Sequence, residues 1–152
     1  MKLAEALLLR ADLQKKVASL QTRIGQYAAV QEGDKPHEDP NKLMKEAAGV
    51  LDDLENLVFK INEANLQQKL KDGRTLTEAL AHRDALIARH SVIHAAIAGS
   101  SKQPDRYGMK EIKWVAVMNV ASLQKQSDDL SKKIRELNAA VQETNWRVEI
   151  KI

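Results

Sequence analysis

Residues 3–27, LAEALLLRADLQKKVASLQTRIGQY, decide the fold class of this chain. Steps of three and four residues separate the positions of one mostly apolar seam: Leu3, Ala6, Arg10, Leu13, Val17, Leu20, Ile24 and Tyr27. This spacing places the seam on one face of a helix, and a sustained heptad repeat is typical of coiled coils. The sequence therefore predicts a first helix over about residues 3–30.

The same period resumes after a polar break at residues 31–39. Asp39 and Pro40 suit a helix start, because aspartate accepts from free amides there and proline favours the first helical position. Gly73 suits the end of this helix, predicted over about residues 40–71. Its seam is Leu43, Ala47, Val50, Leu54, Leu57, Ile61 and Ala64, widened by Met44, Leu51 and Val58.

Two further helices complete the periodic part of the chain. Thr75 and Glu78 have the spacing of a capping box and predict a third helix over about residues 75–98. The fourth is predicted over about residues 120–146. The third seam is Leu76, Leu80, Arg83, Ile87, His90 and Ile97, and the fourth is Leu123, Ser127, Leu130, Ile134, Leu137 and Val141.

Residues 110–118 and 147–152 alternate apolar and polar side chains, which predicts two short strands. An extended segment needs backbone partners. We therefore expect each piece to pair with the other, with residues 104–109, or with a second copy of the chain. The alternative is that residues 114–120 form the first turns of the fourth helix and the C-terminal tail frays.

These elements predict one all-α domain over residues 1–152: an elongated antiparallel bundle of coiled-coil hairpins with a small extended or β element. A helix of 28 residues would span about 42 Å, whereas a compact domain of this size has a radius of gyration of about 15 Å. Long heptads leave apolar surface exposed, so we expect a homo-oligomer, a dimer or a trimer.

Composition excludes several classes of function. The chain has no cysteine, which rules out disulfides, thiolate catalysis and zinc ribbons. No stretch approaches 18 apolar residues, so we expect no membrane partner. The net charge is only +3 and its cations are interspersed with acids, which argues against nucleic acid as a partner. The first residues enter a charged amphipathic helix directly, and we expect a cytoplasmic location.

Several phrases of the sequence resemble a small bacterial family of proteins without assigned function that is often labelled septicolysin. They are MKLAEALLLRADLQKK, VQEGDKPHEDP, DGRTLTEALAHRD, EIK, LQKQSDDL, IRELN and NW, in this order along the chain. The label suggests a cytolysin, yet a secreted pore-former needs an export signal and a membrane-inserting segment, and we expect neither. The resemblance implies a cytoplasmic helical protein and brings no catalytic residues with it.

His90 and His94 stand four residues apart on one face of the third helix. This spacing can hold zinc, as in the HExxH metalloproteases. Ser91 occupies the position of the glutamate in that motif, and no third ligand is evident nearby. We therefore favour two histidines on a half-buried helix face over a metal site.

The loop of residues 31–39 collects carboxylates and one imidazole, with Asp34, His37 and Glu38 as candidate metal ligands. Oxygen-rich loops can bind Ca²⁺ or Mg²⁺. The repeated acidic spacing of a calcium-binding loop is absent, so a solvated turn is the favoured interpretation.

Arg10 and Arg83 occupy core-facing seam positions. A buried arginine needs an acidic partner, because desolvation costs several kcal/mol. One interpretation makes them an anion site, for which the guanidinium fork is well suited. The favoured one makes them internal ion pairs that determine helix register.

The function best predicted by these features is that of a self-associating helical interaction or scaffold protein with no catalytic residue and no cofactor. The alternative is an anion- or divalent-metal-binding protein, with or without an enzymatic activity, that uses Arg10, Arg83 and the acidic loop.

Overall fold

A computed structural model describes residues 1–102 and 113–151 of the chain. This part contains four helices and no strand: α1 (Leu3–Tyr27), α2 (Pro40–Gln67), α3 (Leu76–Gly99) and α4 (Val120–Arg147). The predicted all-α class is thus confirmed. Two compact units divide the chain: unit 1 is Met1–Lys69 with Gln142–Ile152, and unit 2 is Leu70–Val141. The single domain predicted over residues 1–152 stays a prediction.

Unit 1 is built on the packing of α1 against α2. Leu20, Leu43 and Val50 form a buried cluster, and every predicted seam position of α1 and α2 is buried or half-buried. Outside the cluster, Lys16 Nζ lies 2.8 Å from Glu46 Oε1, which joins the same two helices. The seam predicted for these helices is therefore confirmed.

The stripe predicted to widen the α2 seam is largely exposed. Met44 and Leu51 have 56% and 49% of their surface accessible, whereas Val58 is half-buried. The reason is geometric, because α1 covers only one face of α2 and the side chains that flank this face stay exposed.

Local signals for the start of α2 hold, and the signal for its end does not. Asp39 Oδ1 accepts from the amide of Asn41 at 2.9 Å and caps the helix, with Pro40 in the first turn. The helix ends at Gln67 rather than near residue 71. Gly73 does adopt the left-handed conformation, with φ of 89°. It does so in a separate turn after the helix, in which the amide of Gly73 donates to Leu70 O at 3.1 Å.

The C-terminal tail is extended and pairs with the first residues of the chain. The amide of Leu3 donates to Val148 O, and that of Ile150 donates to Met1 O, both at 2.9 Å. One isolated antiparallel bridge, Lys2 with Glu149, is found instead of the strand predicted over residues 147–152, of which the structure describes 147–151, and Arg147 still belongs to α4. Residues 1–3 were not among the expected partners of this tail.

The other predicted strand, over residues 110–118, is not found where the structure describes it. Residues 113–118 precede α4 without regular secondary structure, and they do not form its first turns. Residues 110–112 and the segment 104–109 lie outside the described residues, so pairing there stays a prediction.

Unit 2 begins with a turn and a capped helix. Glu78 N donates to Thr75 Oγ1 at 3.1 Å, and Thr75 N donates to Glu78 Oε2 at 2.7 Å, so the predicted capping box is confirmed. The seam of α4 is buried or half-buried throughout unit 2. On α3, Ile87 is 48% exposed, contrary to prediction, and Ala79 and Leu86 are buried instead.

We expect Leu20→Ala to lower the free energy of unfolding by about 2–5 kcal/mol, because it leaves a cavity against Leu43 and Val50. Leu8→Ala is the matched control on the same helix: Leu8 is 62% exposed, so its loss should change stability by no more than about 0.5 kcal/mol. Urea unfolding followed by circular dichroism measures both, and equal effects would contradict the observed core.

We expect Ile150→Ala to lower the free energy of unfolding by about 2 kcal/mol, because Ile150 is only 9% exposed where the tail meets the first residues. Lys151→Ala is the control, because Lys151 is the exposed neighbour of Ile150 and its loss should change the free energy of unfolding little. Thermal unfolding compares the two, and a tail that contributes nothing would show the same midpoint for both variants.

Candidate functional site

A polar cluster joins α3 to α4 inside unit 2. Ser127 Oγ lies 3.1 Å from Nε2 of His90 and 3.1 Å from Nε2 of His94, and Ser131 Oγ lies 3.0 Å from Nε2 of His90. The two imidazole rings are 4.4 Å apart between centroids and inclined at 45°. Ser127 is 2% exposed, so an otherwise apolar seam contains a buried hydroxyl with two imidazoles around it.

The hydrogen bonds of this cluster do not make a nucleophile. A hydroxyl can donate to one imidazole and accept from another, so Ser127 satisfies both rings in one tautomeric arrangement. Activation of a serine also needs a third group that orients the base. Among the described residues, the bonds of these two rings go to hydroxyl groups, and no carboxylate is bonded to either ring. In the described residues, the cluster therefore lacks the carboxylate that orients the base of a Ser-His-Asp triad.

An open groove of 580 Å³ runs along α3 and α4 in the same unit. Its apolar lining includes Val92, which is 70% exposed, together with Ile93 and Leu130. Arg89, Lys133, Gln126, Asp129 and Ala88 complete it. The groove thus combines an apolar lining with charged side chains of both signs.

The acidic loop is held by contacts within unit 1. Glu38 accepts from Arg23 through both carboxylate oxygens, with 2.7 Å from Nε to Oε2. This hydrogen bond to Arg23 lowers the pKa of Glu38 and raises that of Arg23. With Asp39 capping α2, the candidate ligands Asp34 and His37 remain as exposed side chains.

No group of three or more histidine, aspartate or glutamate side chains that could hold a metal occurs in residues 1–102 and 113–151. The acidic loop lacks a convergent set of carboxylates, because two of its acids already bond to protein groups. His90 and His94 do converge, but with hydroxyl groups as their companions.

The two seam arginines have different surroundings. Arg83 donates from Nε and Nη2 to Asp84 Oδ1 at 3.1 and 2.9 Å, a pair between neighbours in sequence at the protein surface. Arg10 is half-buried, and its Nε is buried with no hydrogen-bond partner in the described part of the chain. Arg10 belongs to unit 1 and Arg83 to unit 2, and the internal acidic partner expected for Arg10 is not observed there.

Ser127 and Ser131 were not identified as site residues from the sequence. Ser127 was placed on the apolar seam of the fourth helix, and a small polar residue at such a position was the only available signal. Its partners lie 33 and 37 residues away along the chain, so local spacing could not reveal them. Ser131, four residues further, follows the same face of α4.

No helix in the described residues is long and apolar enough to cross a membrane.

Long helices with apolar seams place the chain among all-α proteins built from packed helices. Residues 10–150 match the family described as "Family of unknown function (DUF6847)", and the chain belongs to this family. It is also similar to a solved crystal structure, that of "a functionally unknown conserved protein from Corynebacterium diphtheriae". The two are 34% identical, with a TM-score of 0.91 and 99% of each chain covered. No curated protein matches the chain.

We expect the Arg23–Glu38 pair to stabilise the protein at neutral pH and to be lost in acid. The folded-state pKa of Glu38 is lowered, so its contribution is present above the pKa of an unfolded glutamate, about 4.3, and declines as pH falls through the lower folded value. Glu38→Gln should reduce the thermal midpoint at pH 7 and make its fall in acid shallower.

Glu32→Gln is the control for this pair, because it removes a carboxylate from the same loop and leaves Arg23 bonded to Glu38. Its midpoint should follow that of the parent protein from pH 7 to about pH 3. If the thermal midpoints of the Glu38→Gln variant and of the parent fall by the same amount between pH 7 and about pH 3, the pair contributes no pH dependence.

Proposed function

We propose that the protein is a cytoplasmic, self-associating helical protein that acts through an interaction surface on unit 2, with a second copy of the chain as its occupant. The groove along α3 and α4 carries this proposal. Its apolar lining is open, and Val92 within it is 70% exposed. Burial of apolar area is the main driving force of association, so such a surface is stabilised when it is covered.

The charges around the groove favour a second copy over an unrelated partner. Arg89 and Lys133 contribute positive charge to the groove, and Asp129 contributes a carboxylate. A two-fold axis brings the same patch of both copies together, so each cation can meet the carboxylate of the other copy. A surface that carries both signs is self-complementary in this arrangement, whereas a strongly acidic or basic partner would meet like charge.

The heptad seams support the same proposal. Two antiparallel hairpins that pack through α3 and α4 would make a four-helix arrangement of the coiled-coil kind, the common solution for amphipathic helices of this length. The segment before α4 adds apolar surface to the unit, since Val115 and Val117 are 76% and 98% exposed.

We expect the purified protein to be a dimer by light scattering after size exclusion at tens of micromolar, and Val92→Glu to be a monomer. The glutamate places an unpaired charge in an interface that excludes water, which disfavours association strongly. Leu66→Glu is the matched control on α2, because Leu66 is 64% exposed but lies outside the groove. It should remain a dimer.

Charge reversal locates the interface more sharply. Asp129→Lys should weaken the dimer because cations then face cations across the two-fold axis, and adding Arg89→Glu should restore it. A parent protein that is monomeric at tens of micromolar would overturn the proposal. A dimer that survives both Val92→Glu and Asp129→Lys would remove the groove from the interface.

A further inference from the structure

We propose that His90, His94 and Ser127 form a binding site for one divalent transition-metal ion of the class that prefers imidazole, namely Cu²⁺, Ni²⁺ or Zn²⁺. The proposal is independent of self-association, because it depends on the polar cluster of the helix seam and not on the apolar groove. The sequence alone favoured a structural role for these histidines since a third donor was not evident. The buried hydroxyl of Ser127 now supplies that donor.

Convergence of the donor atoms is the first argument. Both Nε2 atoms lie 3.1 Å from the same oxygen, Ser127 Oγ, so the two rings direct the same nitrogen toward one point. Metal–imidazole bonds are about 2.0–2.1 Å long. An ion bound by both Nε2 atoms would take the place of the hydrogen bonds that these nitrogens make with the hydroxyl groups of Ser127 and Ser131.

The donor set is the second argument. Two imidazole nitrogens at positions i and i+4 of one helix are a known pair of metal ligands, and the hydroxyl of Ser127 adds an oxygen from a different helix. Imidazole suits copper, nickel and zinc, and affinity for such ligands reaches its maximum at Cu²⁺. Three protein donors leave coordination positions for water, so the site resembles an open site rather than a closed structural one.

The site is accessible from solvent on the side of the histidines and is closed by the buried Ser127 on the other. His94 is exposed and His90 is half-buried, which lets an ion enter from the surface. Ser127 is 2% exposed and holds both rings, and Ser131 bonds His90 from the same helix. Ser131 bonds the same nitrogen of His90 that would bind the ion, so this hydrogen bond is given up on binding and Ser131 is not counted among the donors.

The full-length protein is freed of metal with a chelator, dialysed, and titrated with Cu²⁺ alone by calorimetry and electron paramagnetic resonance. We expect one Cu²⁺ per chain and a spectrum with coupling to two nitrogens. Because the ion binds the folded state, it should also raise the thermal midpoint. His94→Gln should weaken binding about ten-fold or more, and because His94 is exposed, this variant keeps the fold.

The chain supplies its own controls, since His37 and His82 are the remaining histidines. His37→Gln and His82→Gln should bind Cu²⁺ as the parent does, and Ser127→Ala should bind about ten-fold more weakly while the two-nitrogen spectrum persists. Binding that is unchanged in both His90→Gln and His94→Gln, or lost in His37→Gln or His82→Gln, overturns the site. Unchanged affinity in Ser127→Ala also overturns the three-donor proposal.

Discussion

The whole structure depends on one constraint, that a helix seam repeated in steps of three and four residues buries only one face of each helix. In unit 1 that face is apolar, and Leu20 packs with Leu43 and Val50 where α1 meets α2. In unit 2 the seam of α3 and α4 contains a polar layer at His90 and Ser127. The same periodicity thus produces a hydrophobic core in one unit and a candidate site in the other.

Features of the fold that depend on nearest neighbours along a helix could be predicted from the sequence. The seams of α1 and α2, the aspartate cap at Asp39 and the capping box at Thr75 are determined by residues within about one turn of each other. The structure confirms them. The exposed Met44 and Leu51 were not predicted, because the width of a buried stripe depends on the neighbouring helix and not on the helix itself.

Features that depend on distant segments could not be predicted in the same way. Alternation at residues 147–152 predicted a strand, which residues 147–151 do not form, although the alternating apolar side chains Val148 and Ile150 are buried. Its partner, residues 1–3, was not predicted, because these residues lie more than 140 positions away along the chain and carry no alternation of their own. Likewise, the spacing of His90 and His94 placed both rings on one face, but only the packing of α3 against α4 brings Ser127 to them.

The polar layer restricts how α3 and α4 can pack against each other. A buried hydroxyl must be hydrogen-bonded, so Ser127 requires one register between α3 and α4, which an all-leucine seam would not specify. That register also determines which side chains line the groove. His90 and Val92 are two residues apart and therefore point about 200° apart around the helix axis. The imidazoles thus lie in the seam while Val92 lines the groove, so the metal site and the dimer surface proposed above use different side chains of α3.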